Sequence, residues 1–316
     1  MNPLRAAVTV IAISAGAAVA VSAAMHDKST AGIPPVKDVY QILPAEPGSY
    51  LGVYAPPAPD SYKGVAAFMV NTGVTPTVVM YYSGWLEHFQ TGFAQTVSRH
   101  GAVPLIQIDP TGVSLAAIAS GRYDDYLTSF ADEIRSYRNA VIIGFAHEMN
   151  GSWYSWGYRR SKPSDFVMAW RHIVTVFRDA GAENVTWLWT VNVISHVRHR
   201  EIPNPAAWWP GSAYVTWVGI DGYYLAPSFR FVSLFGPTVT AIREITDDPI
   251  LISETGASNG AGQGSRIRDL AAGVRAYGLL GFVWFDAKGA MDWRINRQAA
   301  VAAFNGAGLH YARPGG

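Results

Sequence analysis

Short runs of β-branched and aromatic residues recur along the chain, each closed by a polar, Gly or Pro turn and followed by a longer stretch with apolar positions at helical spacing. Eight runs follow this rule: Tyr50–Ala55, Thr77–Tyr82, Val103–Ile108, Val141–Ala146, Val185–Val191, Val215–Tyr223, Ile250–Ser253 and Gly281–Phe285. Between them, residues 123–137 carry Tyr126, Leu127, Phe130 and Ile134 on one stripe, and residues 163–180 repeat the pattern behind Ser161, the expected N-cap. Strands alternating with such helices predict a parallel sheet with crossover connections. Eight units in succession over residues 49–316 predict an α/β fold, a single-domain (β/α)8 TIM barrel, whose usual size is about 250 residues. A doubly wound sheet is disfavoured, since no Gly-rich dinucleotide or phosphate loop follows a strand.

The pattern breaks at the N-terminus. Residues 1–25 join a short basic start, Met1 to Arg5, to a long Ala- and Val-rich segment, the form of an export signal. Ser22, Ala23 and Ala24 suit cleavage of a signal peptide, while an apolar run of roughly 20 residues also fits an uncleaved signal anchor. Residues 26–48, rich in Pro, Lys and Asp without periodicity, are expected to be a linker. The barrel is therefore expected to be secreted or extracytoplasmic, with a membrane tether as an alternative.

Composition narrows the chemistry. A hydrophobic content of 49% suits a large core, and a formal charge of +1 with scattered Lys and Arg leaves no electrostatic footprint for nucleic acid. With no Cys, disulfides, a thiol nucleophile and cysteine metal sites are excluded, and the eight His form no ligand cluster, so neither a metal nor another cofactor is expected. A monomer is expected.

In a barrel the C-terminal strand ends face the active site. These positions hold Tyr82, Ser83 and Trp85 after the second strand, Asp109 after the third, and His147 and Glu148 after the fourth. Asn192 follows the fifth, Tyr223 the sixth, Glu254 the seventh, and Trp284 with Asp286 the eighth. Two glutamates stand out, because Phe145–Gly157 and Pro249–Gly256 each drive an apolar strand into a single carboxylate and a turn. Paired carboxyls are the machinery of glycoside hydrolysis: one protonates the leaving oxygen and the other attacks the anomeric carbon. The indoles of Trp153 and Trp156 are expected to keep Glu148 protonated by desolvation, while Tyr223 or His147 donates to Glu254 and keeps it ionised.

The bland readings are weighed beside these. Asp109, Asp221 and Asp286 are expected to be loop caps or internal ion-pair partners, and His147 is as readily a packed histidine as a substrate contact. Of eleven Trp, Trp170, Trp187, Trp189 and Trp217 fall in core patterns. Trp85, Trp153, Trp156, Trp208, Trp209, Trp284 and Trp293 sit at strand ends or in loops, where rings can stack on sugars, Trp153 and Trp284 foremost.

The block His147-Glu148-Met149-Asn150-Gly151, with Trp153 and Trp156-Gly157, resembles the acid/base motif of glycoside hydrolase family 26, which contains β-mannanases, lichenases and β-1,3-xylanases. Gly219-Ile220-Asp221-Gly222-Tyr223, Ser253-Glu254-Thr255-Gly256 and Val283-Trp284-Phe285 extend the resemblance over most of the barrel. It implies a retaining, cofactor-free hydrolase of a β-linked polysaccharide such as β-mannan or β-glucan, with Glu148 as acid/base, Glu254 as nucleophile and Tyr223 beside it. It also implies that His147, Trp153 and Trp284 line the cleavage subsite, with Trp85 and Asn192 as further expected contacts. Many mannanases of the family place Arg directly after the eighth-strand Trp; here Phe285 and Asp286 follow, and Arg294 is the cation available to restore that charge. Two alternatives remain beside an exported endo-glycanase: a non-catalytic glycan-binding barrel, and a membrane-tethered hydrolase trimming a self-made β-glucan or β-xylan.

Overall fold

The computed structural model describes residues 43–197, 200–289 and 291–307. The segment expected to be a signal peptide or signal anchor and most of the expected linker lie outside the described residues. Eight parallel strands close into a barrel in the order β1-β10-β9-β8-β5-β4-β3-β2. They are β1 (Tyr50–Tyr54), β2 (Val78–Gly84), β3 (Val103–Asp109), β4 (Val141–Phe145), β5 (Val185–Asn192), β8 (Trp217–Tyr224), β9 (Ile250–Ala257) and β10 (Gly281–Phe285). A short hairpin, β6 (Ser195–Val197) with β7 (Arg200–Ile202), follows β5. The helices are α1 (Lys63–Thr72), α2 (Thr91–Arg99), α3 (Leu115–Ala119), α4 (Asp124–Tyr137), α5 (Pro163–Asp179), α6 (Phe231–Leu234), α7 (Gly236–Arg243), α8 (Gln263–Ala276) and α9 (Gln298–Asn305).

All eight expected strands are present, and the single-domain (β/α)8 barrel is the observed fold. Two local expectations change. Lys162 caps α5, with Pro163 supplying a pre-set φ at the first turn, and the Ser161 hydroxyl donates instead to the Ser155 carbonyl at 3.1 Å. Leu43, inside the segment read as linker, is 2% exposed and belongs to the interior cluster with Tyr50 and Trp217, so the packed fold reaches back to it.

Alternation along each strand sorts the core into two layers. Val78, Met80 and Tyr82 of β2, Leu105 of β3, Ile142 of β4, Leu188 of β5 and Val283 of β10 point into the barrel. Val79, Tyr81, Ile106, Ile143, Trp187, Trp189 and Trp284 point outward to the helices. Trp170, Trp187, Trp189 and Trp217 are all buried, as their positions within α5 and the strands require.

Candidate active site

At the mouth of the barrel β4 ends, and the chain turns through Ala146 (φ 49°) and Glu148 (φ 55°). Left-handed backbone costs a non-Gly residue about 1–2 kcal/mol, and here hydrogen bonds hold it. Ala146 N–H donates to the Ile108 carbonyl at 2.9 Å, Glu148 N–H to Thr190 at 3.0 Å, and Gly151 N–H back to Glu148 at 2.8 Å. The turn carries the Glu148 carboxyl, 8% exposed, over the end of β5. There Oε1 accepts from Asn192 Nδ2, and Oε2 accepts from Trp153 Nε1 at 2.6 Å. Asn192 is clamped in turn: its N–H donates to Asn150 Oδ1 at 2.8 Å, and Asn150 Nδ2 donates to its carbonyl at 2.8 Å. Gly151 is needed because a Cβ there would lie 2.3 Å from the Trp153 ring.

Glu254 reaches the same mouth by a different device. Leu251 points inward and Ile252 outward, so strict alternation would send Glu254 outward with Ile252. Between Gly219↔Leu251 and Asp221↔Glu254 the register of β9 against β8 slips by one residue, and it slips again against β10 between Phe282↔Ile252 and Trp284↔Thr255. This bulge on β9 turns both Ser253 and Glu254 inward. Ser253 Oγ donates to Asp221 Oδ1 at 2.6 Å inside the barrel. Glu254 accepts from Tyr223 Oη on Oε1 and from Tyr82 Oη on Oε2. Burial, then the charge of Glu254, pushes both tyrosine hydroxyls well above their usual range, so they remain donors.

The two carboxyls interact. Burial and then the negative charge of Glu148 lift Glu254 to about 7, opposed by His147 and by the Tyr223 and Tyr82 hydroxyls. A Glu254 fully ionised at neutral pH is therefore not the resting condition. Asp221, 0% exposed, is pushed well above the carboxylate range by burial and by Glu254 and Glu148. It is neither a loop cap nor an ion-pair partner, but a neutral hydrogen-bond partner of Ser253 below the pair. Asp109 and Asp286 meet expectation: Asp109 Oδ1 is ion-paired with His147 Nδ1 at 3.0 Å, and Asp286 Oδ1 accepts from Ile295 N–H at 2.7 Å.

Of the eight residues expected in the site, Trp153 and Asn192 are hydrogen-bonded to Glu148 and Tyr223 to Glu254, and His147 lies behind Glu148. His147 does not donate to Glu254: its ring is 2% exposed, between Asp109 and Tyr154 Oη, 3.0 Å from Nε2. Trp284 and Trp85 are not brought in. Trp284 is 0% exposed, points to the helix layer beside Phe304, and donates its Nε1 to the Trp293 carbonyl at 2.9 Å. Trp85, also outward by alternation, packs edge-on against Tyr123 and Tyr126 of the α4 region. The aromatic residue of β10 that faces the mouth is Phe285, 4.7 Å from Tyr54 and 6.1 Å from Tyr223 between ring centroids.

Trp156, expected to desolvate Glu148, stacks on Tyr154 at 4.3 Å and donates to the His147 carbonyl. Trp208 and Trp293 are buried, Trp209 is half-buried against Trp189, and Trp153, at 36%, is the most exposed of the described indoles. Arg294 is folded onto Asp292 through contacts of 2.8 and 2.7 Å, not extended toward Glu254. Residues without an assigned role in the sequence reading, Tyr82, Tyr154 and Phe285, carry much of the geometry; for Tyr82 the available signal was the phase it shares with Val78 and Met80. Among the described residues, no group of three or more His, Cys, Asp or Glu side chains is arranged to hold a metal ion.

Comparison with known proteins bears on the fold and the family. Endoglucanase H of Acetivibrio thermocellus is 28% identical over 267 residues, covering 77% of this chain and 29% of that protein. A mannan endo-1,4-β-mannosidase of Bacillus subtilis is 24% identical over 169 residues, covering 46% of this chain and 44% of that protein. The chain thus spans less than half the length of either relative. Among solved structures, a β-mannanase from Bacteroides ovatus superposes with a TM-score of 0.62 at 17% identity, covering 81% of this chain and 87% of that one. A modular endo-β-1,4-mannanase from Cellulomonas fimi gives 0.64 at 18%, covering 84% and 71%. These likenesses establish the shared barrel. The family model of glycosyl hydrolase family 26 matches residues 88–264, more than half of the chain and including both glutamates, and the protein therefore belongs to that family of glycoside hydrolases.

Proposed function

We propose that the chain is a retaining, endo-acting hydrolase of a β-linked polysaccharide, a β-mannan or a β-glucan, with Glu148 as acid/base and Glu254 as nucleophile. One observation carries the reading. Two glutamates from β4 and β9, with β5 and β8 between them, meet at one barrel mouth as an electrostatically coupled pair, and every carboxylate oxygen accepts from a neutral donor. A retaining mechanism requires the two carboxyls to stand about 5–5.5 Å apart. In this mechanism Glu148 delivers a proton to the leaving oxygen while Glu254, as the carboxylate, attacks the anomeric carbon. Once Glu254 is esterified its charge is gone, and Glu148 as carboxylate takes a proton from the water that releases the sugar.

Trp153 stands beside the acid and offers its exposed face to the leaving sugar, while Tyr54, Tyr82 and Phe285 provide an uncharged wall around the nucleophile. The names of the relatives, an endoglucanase and mannan endo-1,4-β-mannosidases, support an endo action on glucan or mannan backbones. The N-terminal segment supports export to where such polymers lie. The test is reducing-sugar release from mannan, glucomannan, mixed-linkage β-glucan and xylans, with the anomer first formed followed by proton NMR. Retention of configuration and loss of turnover in Glu254→Ala are expected. An inverted product, or a fully active Glu254→Ala, would overturn the assignment.

A further inference from the structure

Trp293 stands in the loop between β10 and α9, and at 5% exposure it is too buried to stack on a sugar as expected. Its ring lies instead against Tyr223, 4.8 Å between centroids and 38° between planes. Both rings fill the space over Gly256, where a Cβ would come within 3.2 Å of Tyr223 and 3.3 Å of Trp293. Phe285 stands edge-on to Tyr223 at 6.1 Å and 79°, so the flatter contact is the one Trp293 makes.

Trp293 is held from both sides of its own backbone. Its N–H donates to the Ala287 carbonyl at 3.0 Å, and its carbonyl accepts from Trp284 Nε1 at 2.9 Å and from Gln263 Nε2 at 3.2 Å. The Gln263 side chain is 1% exposed, and its amide also donates at 3.0 Å to the carbonyl of Ala257, the last residue of β9. The loop is thereby tied to the strand that carries Glu254. Tyr223 is half-buried, and its hydroxyl donates to Glu254 Oε1. That hydroxyl sits at the far end of the side chain, so a modest swing of the ring about χ1 takes it out of hydrogen-bond reach.

We propose that Trp293 is a positioning residue for the nucleophile: its buried indole, wedged over Gly256, holds the Tyr223 ring where the hydroxyl donates to Glu254. The inference rests on the reading of Glu254 as the nucleophile. A donor fixed on Oε1 stabilises the carboxylate and aims it, so a loosened Tyr223 ring costs turnover. Trp293 offers almost no surface to a sugar, so substrate binding is spared. Trp284, which the fold turns away from the mouth, acts through the same path, since its Nε1 fixes the carbonyl of Trp293.

The test is a double-mutant cycle with a crystal structure. On the polysaccharide that the wild type cleaves best, Trp293→Ala should lower kcat by roughly tenfold to a hundredfold, with KM nearly unchanged. In a Tyr223→Phe background the same change should cost little more, because the hydroxyl it positions is already gone. Trp293→Phe, which keeps a flat ring over Gly256, should recover most of the rate. Should the Ala variant not fold, Trp293→Leu carries the same expectations. In crystals of the substrate-free variant the Tyr223 hydroxyl should lie beyond about 3.5 Å from Glu254. An indole that only packs would lower the melting temperature and reduce kcat by the same factor with and without the hydroxyl, and that result overturns the proposal. So does an unchanged kcat, or a Tyr223 hydroxyl still bonded to Glu254 in the variant crystals. The crystallographic readout needs no turnover, so an active Glu254→Ala, which defeats the nucleophile reading, is distinguished from a Tyr223 ring that stays in place, which defeats this one.

Discussion

Replacing Tyr82 by Phe removes the hydroxyl that donates to Oε2 of Glu254 and leaves the ring in place, packed edge-on against Tyr54 at 5.2 Å. Tyr223 still donates to Oε1, so the carboxylate loses one of two neutral donors. A hydrogen bond to a charged group contributes about 1.5–3 kcal/mol. Glu254 is partly exposed, and water can replace some of what is lost, so the lower end applies. About 1.4 kcal/mol corresponds to one pH unit, which moves the ionisation of Glu254 from about 7 to about 8. At pH 6.5 the ionised fraction then falls roughly eightfold; at pH 9.5, where both enzymes are ionised, that part of the loss vanishes. The assay is kcat/KM against pH on the best soluble substrate, wild type beside Tyr82→Phe. The acid limb should shift upward by about one unit. A limb that stays in place, or a loss equal at every pH, would refute the assignment of Tyr82 as the donor that makes Glu254 ionisable.

Other outcomes follow from the same geometry. Glu254 binds its proton more tightly in the fold, at about 7 against the ordinary 4.5, so the folded state holds a proton the unfolded chain lacks between these values, and stability is lost as pH rises through that window. Glu254→Gln should abolish turnover yet raise the melting temperature by several degrees at pH 8, a gain of at most about 3 kcal/mol that disappears at pH 4. Trp284→Ala should cost about 3–5 kcal/mol of stability, measured by urea unfolding. Phe285→Ala should instead raise KM several-fold with a smaller loss of stability, and the reverse pattern would show that the alternation along β10 is out of phase.

The architecture was legible because each buried strand carries a pattern that survives without knowledge of its neighbours: Val141–Phe145 is an unbroken apolar run, Val185–Asn192 is dominated by Val, Leu and Trp, and both proved to be barrel strands. Positions of the two glutamates at strand ends were equally local facts. Aromatic partners were not, because a period of two tells which residues share a face but not which face is the interior. Trp284 was expected at the mouth and Phe285 was not; one step of phase exchanges them.

What the sequence alone determined, then, is the order of eight strands and helices, the closed α/β class, and the concentration of carboxyl, amide and aromatic groups at the strand ends. Only the tertiary structure decided that Glu254 faces inward, since the bulge on β9 arises from its pairing with β8 and β10. Only it decided that Tyr82, distant in sequence, donates to that carboxylate, and that Asp109 holds His147. Barrel closure brings these groups together, and side-chain charge and hydrogen bonding depend on such neighbours in space, which local sequence patterns do not encode.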